Sequence, residues 1–118
     1  MLVVDDEPQI GTAIRRALRA QHEVTVAESG EAALAVLECD TQWDLVLCDL
    51  TMPEIDGLVV YDRIRDGHPS LAGSFALMTG DRTRRHADLV LRPAVPVLDK
   101  PFDQSTLRAF VRTRLRAQ

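Results

Sequence analysis

The chain has 118 residues, of which 46% are hydrophobic and 27% are charged, values typical of a folded globular protein. This length suits one domain and excludes two full-sized ones, and no apolar run approaches the roughly 20 residues that cross a bilayer. The net charge of −4 hides an asymmetry, because residues 1–59 carry 12 acidic and 3 basic side chains whereas residues 60–118 carry 6 acidic and 11 basic ones.

Short apolar runs alternate with amphipathic helical patterns, which predicts an α/β domain with a parallel sheet. The predicted strands are residues 2–4, 24–27, 45–48, 74–78 and 95–98. The predicted helices are residues 8–20, 30–38, 57–65, 82–91 and 104–116. Right-handed crossovers would place helices on both faces, and such sheets gather their functional groups at the carboxyl ends of the strands.

Three carboxylates follow two of the predicted strands. Asp5 and Asp6 come directly after the first strand, and Asp49 comes directly after the third. If those strands are neighbours, the side chains converge, and like charges so close are costly unless a cation neutralises them. Oxygen ligands without histidine or cysteine favour a hard ion, and Mg2+ suits a few carboxylates, waters and a phosphoryl oxygen.

A hydroxyl and an ammonium group follow two further strands of the predicted sheet, the fourth and the fifth. Thr79 ends the fourth strand and Lys100, the only lysine in the chain, ends the fifth. A phosphoryl group needs such partners because its charge spreads over three oxygens, so that catalysis depends on positioning and charge neutralisation. A carboxylate can act as the nucleophile in this chemistry and would then carry an aspartyl phosphate.

Four segments together resemble the receiver domains of response regulators in two-component signalling. They are residues 3–8 (VVDDEP), 44–57 (DLVLCDLTMPEIDG), 78–80 (MTG) and 100–102 (KPF). The resemblance spans the whole chain, so it implies a single receiver domain over residues 1–118. It also implies the flavodoxin-like receiver fold, with a five-stranded parallel sheet in the order 2-1-3-4-5 and helices on both faces.

The resemblance implies a role for each carboxylate. Asp49 matches the phosphoacceptor, which takes a phosphoryl group from a phosphohistidine of a sensor histidine kinase or a histidine phosphotransfer domain. Asp6 and Asp49 would bind Mg2+ by their side chains and Thr51 by its backbone carbonyl, with Asp5 acting mainly through metal-bound water. The domain would then be a cytoplasmic phosphorelay switch.

The resemblance further implies that Thr79 and Lys100 hold the phosphoryl oxygens and that the bond before Pro101 is cis. One departure concerns Val97, since receivers often carry tyrosine or phenylalanine there, and a valine has no large rotamer change to transmit. We therefore expect phosphorylation to change partner binding through the backbone of residues 80–92.

The partner surfaces are less defined by sequence. Arg108, Arg112 and Arg116 repeat every fourth residue and line one helix face, which is either a solvated face or part of a homodimer surface over residues 82–116. The segment that contains Pro93 and Pro96 resembles the corresponding segment of receivers attached to hybrid histidine kinases. No DNA-reading motif is recognised, so we expect no direct nucleic-acid binding and no membrane contact.

Two alternatives remain open at this stage. The chain could be a degenerate receiver that only dimerises, or a small Mg2+-dependent phosphatase with an aspartate nucleophile. Against the phosphatase, Thr51 stands where haloacid-dehalogenase-type phosphatases carry their second aspartate, two residues after the nucleophile. The prediction is therefore a non-enzyme whose only chemistry is self-phosphorylation and autodephosphorylation.

Overall fold

Five parallel strands form one sheet in the order β2-β1-β3-β4-β5, in a computed structural model that describes residues 1–80 and 95–116. The strands are β1 Leu2–Val4, β2 Thr25–Ala27, β3 Val46–Asp49, β4 Phe75–Thr79 and β5 Val97–Asp99. The helices within these ranges are α1 Pro8–Leu18, α2 Gly30–Cys39, α3 Gly57–Gly67, the single turn α4 Pro69–Ala72 and α5 Gln104–Arg116. The predicted strand order is confirmed, whereas the helix predicted over residues 82–91 lies outside the described ranges.

The strands build two separate apolar clusters because successive side chains point to opposite faces of a sheet. In β1, Leu2 and Val4 enter a cluster with α2 and α3, whereas Val3 enters a cluster with α1 and α5. Every residue of β3 and β4 is buried, as the nearly continuous apolar runs of these strands predicted. Helices thus cover both faces of the sheet. The carboxyl ends of the strands are where a site can form.

Side-chain caps fix where three of the helices begin. The Ser29 hydroxyl accepts from the N–H of Ala32 at the start of α2, and the Asp103 carboxylate accepts from the N–H of Thr106 at the start of α5. Asp56 caps α3 and is described with the site below. Each of these helix starts fixes how the preceding loop leaves the sheet.

The observed element bounds lie within two residues of the predicted ones, and two differences have a local reason. β5 begins at Val97 rather than at residue 95, since Pro96 has no N–H to donate to a neighbouring strand; its carbonyl accepts from Leu77 N–H at 2.9 Å. Pro69 starts the separate turn α4, which the sequence analysis did not predict. Across residues 1–80 and 95–116, no helix is long and apolar enough to span a membrane.

Candidate metal centre

The strand register brings the predicted site residues to one edge of the sheet. Val4 of β1 lies beside Cys48 of β3, so Asp5 follows directly next to Asp49. On the other side of β3, β4 ends with Thr79. Among the described residues, the buried polar or charged ones are Asp5, Asp49 and Thr79. Burying polar groups is costly unless they have partners, so their common location makes this end of the sheet the candidate site.

Three carboxylates at this edge have the composition of a metal site. One oxygen each of Asp5, Asp6 and Asp49 lies within 4.8 Å of the others, with Asp6 partly exposed and the other two buried. Their negative charges repel at this distance, and a divalent cation would remove that repulsion. An all-oxygen donor set that is partly open to solvent fits Mg2+, which keeps several waters and takes few protein ligands.

The ammonium of Lys100 lies between two of these carboxylates. Its Nζ donates to Asp5 Oδ2 at 2.9 Å and lies 3.3 Å from Asp49 Oδ1. The backbone N–H of Lys100 donates to the carbonyl of Thr79 at 2.8 Å, which joins the end of β5 to the end of β4. The Lys100–Pro101 bond is cis, which confirms that expectation. One cation therefore already offsets part of the negative charge at this edge.

The second oxygen of Asp5 is also engaged. Asp5 Oδ1 accepts from the N–H of Glu7 at 2.9 Å, one residue before α1. With Lys100 bound to Oδ2, both oxygens of Asp5 have a partner within the protein. Asp5 is thus a fixed carboxylate that orients Lys100, and it has fewer lone pairs to offer to a cation than a free carboxylate has.

The surroundings shift the pKa values of the two groups that face each other. Burial raises the pKa of Asp49 to about 6; attraction to Lys100 opposes this shift, and repulsion from Asp5 and Asp6 adds to it. Burial of Lys100 lowers its pKa, but the hydrogen bond to Asp5 and the attraction of Asp49 outweigh burial and leave it raised. The site therefore combines a permanently charged ammonium with a carboxylate that titrates close to neutral pH.

The loop from Leu50 to Asp56 completes this edge. It contains Thr51, which is exposed, and Glu54, whose φ of 64° is in the left-handed region that non-glycine residues rarely adopt. Asp56 Oδ1 accepts from the N–H groups of Leu58 and Val59 and so caps α3. The path from Asp49 to α3 is short, and its geometry is fixed at both ends.

The remaining predictions have separate outcomes. Cys48 is buried, and burial followed by repulsion from Asp49 raises its thiol pKa well above the usual value. Arg108 donates to the carbonyl of Ala17 at the end of α1, so part of the predicted basic face binds within the domain. The close approach of Gly30 to Ile55 has no signal in the sequence, where Gly30 is only the predicted start of a helix.

Known proteins with this sequence pattern share the same fold. Residues 1–112 match the family described as the response regulator receiver domain. The DNA-binding transcriptional regulator NtrC of Salmonella typhimurium is 36% identical over 108 residues, which are 86% of this chain and 21% of that protein. The transcriptional regulatory protein ZraR of Escherichia coli is 33% identical over 111 residues, 92% of this chain and 24% of that protein.

A solved structure gives the same result in three dimensions. The receiver domain of NtrX from Brucella abortus superposes with a TM-score of 0.85 at 27% sequence identity, and the match covers 99% of this chain and 98% of that domain. The chain spans only about a fifth to a quarter of the length of NtrC and ZraR. The likeness therefore concerns one domain of those regulators.

Proposed function

Because the chain belongs to the receiver-domain family of two-component response regulators, we propose that it is a phosphoacceptor switch that carries the phosphoryl group on Asp49. The observation that carries the proposal is the ammonium of Lys100, which is hydrogen-bonded to Asp5 and lies 3.3 Å from Asp49 inside a carboxylate cluster. An acidic nucleophile beside a fixed cation is the arrangement that phosphoryl transfer to a carboxylate requires.

The metal in this proposal is Mg2+. Asp6 and Asp49 would bind it by their side chains and Thr51 by its backbone carbonyl. The engagement of both oxygens of Asp5 favours a role for that residue through metal-bound water. When bound, the ion would neutralise charge on the phosphoryl oxygens and on the carboxylates.

The residues of the chain would act on the phosphoryl group in the following way. An oxygen of ionised Asp49 attacks the phosphorus of a phosphohistidine, the phosphorus–nitrogen bond breaks, and its electron pair stays on the imidazole. The pKa of about 6 leaves Asp49 largely ionised at neutral pH. The Lys100 ammonium and the Thr79 hydroxyl bind the phosphoryl oxygens, and burial keeps bulk water from competing for them.

The partners follow from this chemistry. The phosphoryl donor is a sensor histidine kinase or a histidine phosphotransfer domain, and the location we expect is the cytoplasm. The readout is a change in partner binding through the region after Thr79, with a homodimer over residues 82–116 as one form of it. No direct contact with nucleic acid is proposed for these residues. The chemistry is limited to self-phosphorylation and autodephosphorylation.

Mass spectrometry tests the proposal directly. Incubation with acetyl phosphate and Mg2+ is expected to add about 80 Da, one phosphoryl group, to the peptide containing Asp49. Asp49→Asn is the control and should gain nothing. A wild-type protein that gains no mass contradicts the proposal and favours a receiver used only for dimerisation. Steady turnover of a small phosphate ester contradicts it in favour of a phosphatase.

A further inference from the structure

The first residue of α2 packs directly against the backbone of the loop that follows Asp49. A Cβ atom at Gly30 would lie 2.4 Å from the carbonyl oxygen of Ile55, 2.7 Å from its Cγ2 and 2.8 Å from its Cβ. The φ of Gly30 is not positive, so glycine is required here for close approach and not for an unusual backbone conformation. A carbonyl oxygen moves only when its peptide unit moves, so any larger residue at position 30 must displace either the loop at Ile55 or the start of α2.

The other end of the same loop is seated just as tightly. The N–H of Gly57 donates to the carbonyl of Leu50 at 2.9 Å. A Cβ at Gly57 would lie 2.5 Å from the carbonyl oxygen of Asp49 and 3.0 Å from Leu50 Cα. Met52, in the middle of the loop, is buried in the core. The loop is therefore held at both ends and at Met52 in its middle, so a displacement at Ile55 is expected to reach the backbone around Thr51.

We infer that Gly30 is a positioning residue for the metal site, which acts by setting the path of residues 50–56. This inference rests on the proposed function, since it gives the loop its purpose: Thr51 is the expected carbonyl ligand, and Asp49 is the residue just before the loop. Gly30 lies on a different element from either residue, and the three atoms nearest to a Cβ placed on it all belong to Ile55. Because Gly30 has no side chain, α2 can pack closely against the loop, and the position of the expected ligands then depends on this packing.

The affinity for Mg2+ tests the inference without recourse to phosphorylation. The dissociation constant is measured for the full chain by following backbone amide shifts during a Mg2+ titration. Gly30→Ala is expected to weaken binding roughly tenfold or more, the effect typical of losing support behind a metal ligand. The matched control is Gly67→Ala at the end of α3, where an added Cβ meets nothing within 4 Å and the dissociation constant should stay at the wild-type value.

A second control separates positioning from general loss of stability. Ala35→Gly changes an exposed residue of α2, five residues after Gly30, and lowers stability through helix propensity. Urea unfolding of the same samples ranks their stabilities. Gly30→Ala is expected to weaken Mg2+ binding beyond what its stability loss predicts, whereas Ala35→Gly should lose stability and keep its affinity. Equal weakening in both variants overturns the inference.

A third variant keeps the test decisive if Gly30→Ala does not fold. Ile55→Ala removes the side chain that packs on Gly30 and loosens the contact instead of crowding it. It should also weaken Mg2+ binding, by a smaller factor. A wild-type dissociation constant for a folded Gly30→Ala, or for Ile55→Ala, overturns the inference. A wild-type chain that binds no Mg2+ instead overturns the proposed function, so the two failures are distinguishable.

Discussion

At the scale of single residues, the site depends on how charges are distributed among Asp5, Asp49 and Lys100. Asp5 is fully buried, and Lys100 is the nearest cation to it, with 18% of its side chain exposed. Such a group of ions contributes little net stability, because desolvation offsets most of the attraction. Its loss is expensive all the same, since the charges that remain have no compensation.

Replacing Lys100 should therefore destabilise the protein. Lys100→Met leaves Asp5 and Asp49 facing each other without the Lys100 ammonium, and we expect the free energy of unfolding at pH 7 to fall by about 3 kcal/mol, the low end for a buried ion pair because Lys100 is partly exposed. Urea unfolding in the presence of EDTA measures it. The loss should shrink at pH 4, where Asp49 is protonated. A loss of the same size at both pH values would contradict this account.

Asp49 itself should make the metal-free protein less stable at neutral pH. Its pKa rises from 3.8 in the unfolded chain to about 6 in the folded one. A raised carboxyl pKa means that the stabilising contribution is complete below pH 4 and is lost as pH rises through 6. Asp49→Asn cannot ionise, so it should exceed the wild type in stability at pH 7.5 by up to about 3 kcal/mol.

The check is a set of urea unfolding curves between pH 4 and 8 in EDTA. The two proteins should have equal stability near pH 4 and diverge above it. Adding Mg2+ should narrow the difference, because binding of the ion to ionised Asp49 stabilises only the wild type. If Asp49→Asn were less stable than the wild type at pH 7.5 without metal, the raised pKa of Asp49 would be contradicted.

At the scale of secondary structure, the caps decide how the loops at the site are held. Asp56 is the cap of α3 and the last residue of the loop that begins after Asp49. Asp56→Ala removes the acceptor for two backbone N–H groups, and we expect it to lower the free energy of unfolding by about 1 kcal/mol. Ser29→Ala at the start of α2 removes only one such hydrogen bond. Chemical denaturation compares the free energies of unfolding of the two variants. A smaller loss of stability for Asp56→Ala than for Ser29→Ala would contradict the two hydrogen bonds that Asp56 accepts.

The readout of phosphorylation is also a property of elements. Val97 begins β5 beside Leu77 and packs against the apolar cluster that contains α2 and α3. Valine has a single stiff side-chain torsion, so it cannot act as a large rotamer switch. We expect the signal to pass through the backbone of residues 80–92, with amide hydrogen exchange there slowing when beryllofluoride and Mg2+ are added. Equal exchange with and without beryllofluoride would contradict this route.

The helices and strands were easier to predict from the sequence than the packing contacts between them. Strand positions were predictable because β3 and β4 are apolar on both faces, and the site because Asp5, Asp6 and Asp49 follow adjacent strands. The start of β5 was misplaced, since Pro96 interrupts an apolar run that otherwise looks continuous. The role of Gly30 was not predictable, because a close approach to Ile55 depends on two segments that are distant in sequence.

At the scale of the whole molecule, the carboxylates at one end of the sheet link metal binding to folding. Mg2+ is expected to bind the folded chain only, so stability should rise with the logarithm of its concentration, by about 2.7 kcal/mol at 100 times the dissociation constant. Thermal unfolding at increasing MgCl2, with NaCl at equal ionic strength, measures this. Asp6→Asn should flatten the response. An identical rise with NaCl would mean that screening, and not a bound ion, is responsible.

The two outer strands of the sheet are short, so they offer few backbone groups to a strand of another molecule. β2 and β5 are three residues long, and Pro96 immediately before β5 offers no N–H to an incoming strand. Long, flat, unpaired strand edges nucleate aggregation between copies of a protein. A chain with such abbreviated edges can therefore accumulate to high concentration, or be joined to many other domains, with little tendency to polymerise through its sheet.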